Sequence, residues 1–193
     1  MANLITLATY KTAEGIQATK DDAKLELLID SVSQLVKTYC NAAFVDYYTN
    51  AKTELFNINY NESFVQLEEG PVVMGEVAPV VSERSDFTAA YTTLTQDVDY
   101  YIDTELDSIY RMSKPWPKGP GAVKVVYKAG YATIPADLKL AVIDLVTYYH
   151  KDEHKARQTI AGASIQNQSS SSQRNNVAFP DHIKRVLDLY KNF

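Results

Sequence analysis

The order of two hydrophobic periodicities along the chain constrains its fold more than any other feature. Apolar residues recur every three or four positions before residue 50 and again after residue 132, as on one face of a helix. Between residues 51 and 131, apolar and polar residues alternate in short runs separated by turn residues, as in half-buried antiparallel strands. Helical and strand patterns are therefore segregated, which is typical of α+β proteins and not of a repeating βαβ fold.

Three amphipathic stripes mark the helices, over residues 21–40, 136–155 and 181–191. A helix that is apolar on one face must cover that face with another element of the chain. The sequence therefore predicts an α+β fold with a helical bundle core. In that fold the long N-terminal helix packs with two C-terminal helices, and the core carries an antiparallel β insertion of five to seven short strands.

The length of 193 residues and the lack of an internal repeat fit a single domain, residues 1–193. Within it, residues 1–50 and 132–193 are predicted to form the helical core and residues 51–131 the β-strand insertion. A polar, Ser-rich segment without periodicity is predicted to be a flexible loop over residues 157–179.

The net charge of −5 hides a strong asymmetry along the chain. Residues 46–107 carry 13 acidic and 2 basic side chains, whereas residues 108–193 carry 13 basic and 6 acidic ones. One interpretation is an ordinary scatter of solvated charges. The other is head-to-tail association between copies of the chain, or an acidic surface that repels a polyanion.

The N-terminal residues lack the charged and apolar regions of a secretory signal, and no stretch approaches the ~18 apolar residues of a membrane helix. The expectation is a soluble intracellular product without a membrane partner. The 14 tyrosines include Tyr91, Tyr100 and Tyr101 in the acidic segment, where phosphates would be repelled. Core packing and subunit contacts therefore explain the tyrosines better than base stacking does.

The segment HKDEH matches the H-x-x-E-H pattern of an inverted zinc peptidase at His150, Glu153 and His154. Neighbouring lysines oppose a divalent cation, and the remaining histidine, His182, follows the predicted loop. A helix end whose basic residues complement the helix dipole is the other interpretation. A zinc-dependent hydrolase using residues 150–154 is kept as the alternative function.

Other signatures of catalysis are missing from the sequence. It has no Gly-rich nucleotide motif and no G-x-S-x-G elbow, and Cys40 has no histidine near it in sequence. Asp99 and Asp103 could be paired carboxylates, but acidic residues on the polar face of a strand are usually solvated. No catalytic residue, cofactor or metal site is therefore predicted.

Four segments, in order, resemble the gp6-like head–tail connector, or adaptor, proteins of tailed phages. The first long helix of that family is similar to DDAKLELLIDSVSQLVKTYCNAAF, and its D-Y-x-[VI]-D strand is similar to DVDYYIDTELDSIYRM. Its W-P, V-x-Y-x-x-G-Y and P-x-D-L run resembles WPKGPGAVKVVYKAGYATIPADLKLAVIDLVTYY. Its C-terminal pattern resembles FPDHIKRVLDLYK.

The resemblance implies a structural virion protein, made in the host cytoplasm and located in the neck at the head–tail interface. Such adaptors form a homo-oligomeric ring, usually a dodecamer, under the portal protein. The ring meets a tail or stopper protein and extends the DNA channel, through which DNA passes without specific binding. No enzymatic activity and no cofactor are implied. Another neck or tail-completion protein is a further alternative.

The resemblance also implies a partner interface in the C-terminal segment, which tends to reach toward the portal in that family. Carried over to this sequence, the predicted interface residues are Ser169, Arg174, Asn175, Asn176, Ile183, Arg185, Leu187 and Tyr190.

Overall fold

The computed structural model describes residues 2–75, 78–152 and 179–192, together with the backbone of 157–160 and 163–166. The chain divides into two compact units. The helical unit consists of Met1–Ala42 and Ile134–Phe193, and the β unit consists of Ala43–Thr133.

The described helices are α1 (Leu7–Glu14), α2 (Asp22–Cys40), α3 (Asp46–Thr49), α4 (Ala136–His150) and α5 (Asp181–Asp188). The described strands are β1 (Lys52–Ile58), β2 (Phe64–Gln66), β3 (Val80–Glu83), β4 (Thr92–Thr93), β5 (Tyr100–Asp103), β6 (Ser108–Arg111), β7 (Gly119–Tyr127), β8 (Arg157–Ile160) and β9 (Ala163–Gln166).

Within the helical unit, α2 forms because its apolar residues recur at helical spacing and its ends are marked. Leu25, Ile29, Val32 and Val36 fall on one face and are buried. The helix ends at Asn41, which adopts a left-handed conformation with φ of 51° and donates its backbone N–H to the last turn. The buried face of α2 packs against α4 and α5.

Within the β unit, the strands form two antiparallel sheets with the orders β1-β7-β3-β4 and β2-β6-β5. The unit has one hydrophobic core cluster, to which strands of both sheets contribute inward-facing residues. Its buried members are Ile58, Val65, Leu67, Val72, Val81, Tyr100, Ile102, Ile109, Trp116, Ala122, Val123, Val125, Tyr127 and Ala129.

The prediction of a helical bundle as the core of the fold is wrong. Two antiparallel sheets enclose a hydrophobic core of their own, and of the described helices only α2 and α4 exceed eight residues. A bundle needs several helices that lie alongside one another over most of their length. At 1.5 Å per residue, α1 and α5 are each only about 12 Å long, so they cannot do this.

Two boundaries near the C-terminus differ from the sequence prediction. The helix predicted to reach residue 155 ends at His150, and Asp152 adopts a positive φ of 58°, which no helix continues through. The predicted flexible loop over residues 157–179 lies mostly outside the described residues. Its described backbone forms a hairpin in which Arg157–Ile160 pairs with Ala163–Gln166.

The acidic segment of residues 46–107 and the basic segment of residues 108–193 do not coincide with the two units. Basic residues of β6, β7 and their connection fold into the same unit as the acidic segment, so the β unit carries a net charge of −6 and the helical unit one of +1. The fold thus reduces the asymmetry seen along the chain, although the β unit stays distinctly acidic.

Candidate interaction surfaces

The C-terminal segment is anchored within the helical unit by aromatic contacts and by hydrogen bonds to carboxylates. Phe179 meets the ring of Tyr39 edge-on, with 5.1 Å between ring centroids, and the Tyr39 hydroxyl donates to Asp188 at 2.5 Å. Burial and this carboxylate raise the pKa of Tyr39 to about 12. Beyond α5, the Tyr190 hydroxyl donates to Asp137 at 2.6 Å. These contacts fix α5 on the surface formed by α2 and α4.

The predicted interface residues are found in different environments. Ser169, Arg174, Asn175 and Asn176 lie outside the described residues. Ile183 and Leu187 are buried in the helical unit, at 1% and 0% exposure, so in this conformation they pack within the chain. Tyr190 is half-buried against Asp137, and Arg185 faces solvent.

The H-x-x-E-H segment lies partly outside the described residues, because Glu153 and His154 are not among them. The structure places His150 in the last turn of α4, which then ends. Two histidines four residues apart share a face only on a continuous helix, and the positive φ of Asp152 interrupts that geometry. Within the described parts of the chain, no three His, Cys, Asp or Glu side chains are grouped closely enough to hold a metal ion.

Three aromatic side chains form a row across the solvent face of the β2-β6-β5 sheet. Phe64 is paired in register with Tyr110, which is paired in turn with Tyr101. Phe64 and Tyr101 are 49% and 52% exposed, and the rings of Phe64 and Tyr110 have centroids 5.9 Å apart. Their strand neighbours face inward, because successive side chains alternate between the two faces of a sheet. We call Phe64, Tyr110 and Tyr101 the aromatic row.

Two carboxylates lie on β5 and just before it. Asp103 is two residues from Tyr101 on β5, so the alternation of the strand puts it on the same side of the sheet. Asp99 precedes β5, and one of its carboxylate oxygens lies 3.4 Å from the Arg111 guanidinium. The Asp103 carboxylate accepts the backbone N–H groups of Glu105 and Leu106 at 3.0 and 3.1 Å. Asp99 accepts the backbone N–H of Thr95 at 3.0 Å. The two carboxylates that could have been a catalytic pair therefore hold backbone turns, and of the two only Asp103 stands beside the row on β5.

Behind the aromatic row, Arg111 connects the two sheets. Its guanidinium donates to both carboxylate oxygens of Glu83 on β3, at 3.1 and 3.2 Å, and to the backbone oxygen of Asp99. It also lies over the ring of Trp116, 5.8 Å from the centroid. These contacts fix the end of β6 and the start of β5, and with them the positions of Tyr110 and Tyr101.

A second, mostly buried polar cluster surrounds Lys52 on β1. Its ammonium lies 2.9 Å from Glu54, 2.7 Å from Glu68 and 3.7 Å from Glu69. The hydroxyl of Tyr127 donates to Glu54 at 2.6 Å and accepts the backbone N–H of Glu69 at 3.1 Å. Burial, and next the hydrogen bond to Glu54, raise the pKa of Tyr127 far above its ordinary value of 10.0.

Replacing Tyr127 with Phe should make the stability of the chain less sensitive to alkaline pH. A tyrosine whose pKa is higher when folded stabilises the native state fully below pH 10, and that contribution is lost as the unfolded chain ionises above it. Urea unfolding at pH 8 and pH 11 should show a smaller loss of unfolding free energy in Tyr127→Phe than in the wild type. The same change at Tyr60, which is 74% exposed, should leave the loss unchanged. Equal losses in all three proteins would contradict the role of Tyr127.

A family model described as "Head completion protein" matches residues 3–193, almost the whole chain. The chain belongs to the head completion protein family. Among the described residues, no helix combines the length and apolar character that crossing a membrane requires.

A head completion protein of Escherichia phage T5 is 31% identical to the chain over 72 residues. This match covers 37% of the chain and 39% of the phage T5 protein, so less than half of either protein is compared.

Solved structures of gene transfer agent particles share the fold. A chain in the neck of the empty particle, computed with C6 symmetry, superposes with a TM-score of 0.60 at 13% identity, covering 98% of this chain and 90% of that one. A chain in the neck of the native particle, computed with C12 symmetry, gives 0.56 at 15% identity, covering 100% and 96%. A chain of the native virion gives 0.61 at 14% identity, covering 98% and 90%. At such low identities these likenesses show the fold alone.

Membership of the head completion protein family confirms the predicted resemblance to phage head–tail connector proteins. The aromatic row is a feature that sequence reasoning did not identify as a unit. Its only signal was the excess of tyrosine in the acidic segment, which the sequence attributed to packing and subunit contacts.

Proposed function

We propose that the chain acts as one subunit of a homo-oligomeric ring that docks under the portal, extends the DNA channel toward the tail or a stopper protein, and performs no catalysis. The observation that carries the proposal is the match of residues 3–193 to the head completion protein family. The gene transfer agent necks with C6 and C12 symmetry support a ring, because cyclic symmetry is the symmetry of closed rings.

The electrostatics of the β unit support a role beside passing DNA. A protein binds DNA without sequence preference mainly by neutralising phosphates with Lys and Arg. The net charge of −6 on the β unit disfavours such binding. A channel built from such subunits would let the genome slide without being held.

The engagement of the acidic residues supports a structural role rather than a catalytic one. Glu83 is bound to Arg111, and Glu54, Glu68 and Glu69 surround Lys52. Glu83 thus joins β3 to β6, and Glu68 and Glu69 join the segment after β2 to β1. Such links stiffen a subunit, which is what a ring needs.

The proposal is tested with DNA-filled heads that were assembled without the chain. Adding the purified chain should allow tails to attach and should add a ring below the portal that electron microscopy can resolve. Heads that acquire tails equally well without the chain would contradict the proposal.

We propose that the portal contact lies in the segment that carries Ser169, Arg174, Asn175 and Asn176. Replacing residues 169–176 with a Gly/Ser segment of equal length should abolish binding to purified portal while circular dichroism and the melting temperature stay unchanged. Changing the exposed Leu55 on β1 to Ser serves as the control and should leave binding intact. Full portal binding by the segment variant would show that the contact lies elsewhere.

A further inference from the structure

We infer that the edge of β1 that faces away from β7 binds an extended segment of the protein that meets the ring on its tail side. The segment binds as an added strand next to β1. The inference rests on the proposed function, because that function supplies a neighbour on the tail side. It adds the surface that holds this neighbour and the chemistry of the segment that fits there. We call this edge the outer edge of β1.

β1 lies at the end of its sheet, because the described strand order β1-β7-β3-β4 gives it β7 as a neighbour on one side alone. The backbone groups of a strand between two antiparallel neighbours point alternately to one and to the other. On β7, Ala122 points to β3, since its C=O accepts the backbone N–H of Arg84 at 2.9 Å. The residues of β7 that point to β1 are therefore Val123, Val125 and Tyr127.

The same alternation shows which backbone groups of β1 point to its outer edge. The three residues of β7 are in register with Phe56, Glu54 and Lys52 of β1. The N–H and C=O of Thr53 and of Leu55 therefore point away from β7. Within the described part of the chain, these groups have no hydrogen-bond partner. They match the backbone of an extended segment, which pairs with a sheet edge through its own N–H and C=O groups.

The side chains of β1 also suit an added strand. Edge strands commonly avoid pairing by carrying charged residues or proline at exposed positions. The solvent-facing residues of β1 are Thr53, Leu55 and Asn57, which are neither, and Leu55 is 58% exposed. On the other face of the strand, Phe56 is only partly buried against the hydrophobic core of the β unit. An added strand would cover Leu55 on one face and Phe56 on the other.

These surroundings define the chemistry of the segment. Apolar residues are favoured beside Leu55 and Phe56, because apolar neighbours on adjacent strands stabilise a sheet. An acidic residue is disfavoured at the Lys52 end, where the Glu68 side chain is 65% exposed. The register of β1 shifts between Phe56 and Ile58, which ends the regular edge there. The segment is therefore short, extended and apolar, without acidic residues.

A second copy of the chain fits the outer edge of β1 less well. Pairing β1 with β1 of another copy uses the same surface twice, which closes a dimer and cannot continue around a ring. The other edge strands described in the two large sheets are shorter, since β2, β4 and β5 have 3, 2 and 4 residues and β1 has 7. The portal contact is proposed for residues 169–176, so the tail-side protein is the neighbour that remains.

Replacing Thr53 with Pro tests the inference. Proline lacks a backbone N–H, and edge strands tolerate it where that N–H faces solvent. The variant should therefore keep the wild-type melting temperature while it loses a donor that the added strand needs. DNA-filled heads that carry a ring of Thr53→Pro should attach tails at least about tenfold less well than heads with the wild-type ring. Electron microscopy should still show the ring below the portal.

Thr53→Val is the matched control, because it changes the side chain and keeps the backbone N–H. Its rings should attach tails as the wild type does. Leu55→Glu tests the same edge without a change to the backbone, and the cross-strand neighbour Lys124 allows the fold to accept the new charge. This variant should also attach tails poorly, and it decides the question if Thr53→Pro melts at a lower temperature.

Normal tail attachment by stably folded Thr53→Pro or by Leu55→Glu would overturn the inference. A stably folded variant that forms no ring on heads would also overturn it, because the outer edge of β1 would then serve a contact between copies or with the portal. If heads that carry the wild-type ring acquire no tails, the proposed function fails, which is a different result.

Discussion

Replacing Arg111 with Met should lower the free energy of unfolding by about 3–5 kcal/mol, the usual cost of removing one partner of a buried ion pair. The Arg111 side chain is 5% exposed and the Glu83 side chain 12% exposed, so water cannot take over the lost hydrogen bonds. Methionine has a similar length and can fill the space above Trp116. The loss would therefore report the two donors to Glu83 and the donor to the backbone oxygen of Asp99 rather than a cavity.

The same substitution should change the response to acid. Burial raises the pKa of Glu83, but the bonds from Arg111 and Lys114 outweigh it and hold the pKa below the ordinary value of 4.5. A carboxyl with a lowered folded pKa stabilises the native state above pH 4.5, and that contribution is lost as the pH falls through the folded value. The wild type should therefore lose stability below pH 4.5 more steeply than Arg111→Met does.

Lys114→Met is the matched control. Lys114 also bonds to Glu83, at 3.0 Å, but its side chain is 56% exposed. Exposed ion pairs contribute only about 0–1 kcal/mol. Urea unfolding at pH 7 and at pH 3.5 measures the free energy of unfolding of the wild type and of both variants. Similar losses of unfolding free energy in the two variants would mean that burial of the Arg111 guanidinium does not strengthen its ion pair.

Helix positions followed from the sequence where one apolar face was long and its ends were marked. The stripe from Leu25 to Val36, ended by Asn41, predicted α2 to within one residue at its start. The prediction of a helical core was wrong. Hydrophobic periodicity shows that one face of a helix must be buried, but it does not show how large a core that helix helps to form. The short α1 and α5 bury few residues, whereas alternating strands combine their inward faces across two sheets.

Hydrophobic periodicity also limits the prediction of the partner interface. Helical spacing selects Ile183 and Leu187 on α5, but it cannot distinguish a face buried within the chain from one buried against a partner. The structure buries both within the helical unit and leaves Arg185 exposed. The remaining predicted interface residues stay a prediction.

The aromatic row could not be predicted because it depends on register. Phe64, Tyr101 and Tyr110 come from three strands, and the alternation within each strand fixes only which residues share a face. Their alignment follows from the pairing of β6 with both β2 and β5, which the core residues on the opposite face decide. A slip of one residue would turn each ring toward the core.

Replacing Gly130 with Ala should destabilise the chain by roughly 4 kcal/mol, since a non-glycine residue at an unfavourable φ costs about 1–3 kcal/mol and overpacking about 1–3 kcal/mol more. Gly130 has a φ of +92°, and a Cβ there would lie 1.9 Å from the backbone oxygen of Phe44. That oxygen accepts the backbone N–H of Tyr131 at 2.7 Å, while Gly130 donates its own N–H to Pro71 at 2.9 Å. The backbone is thus held on both sides and cannot move away without losing a hydrogen bond.

Gly15→Ala is the control that separates the clash from the backbone conformation. Gly15 also has a positive φ, +69°, but no atom lies within 4 Å of the position of its Cβ. Its replacement should cost only about 1–2 kcal/mol, the penalty of a left-handed conformation. Denaturant unfolding of both variants measures the difference in their unfolding free energies. Equal losses would show that the backbone near Phe44 moves aside at little cost. A larger loss at Gly130 would explain why the V-x-Y-x-x-G-Y segment has glycine before its second tyrosine: a side chain there would separate the end of β7 from Phe44.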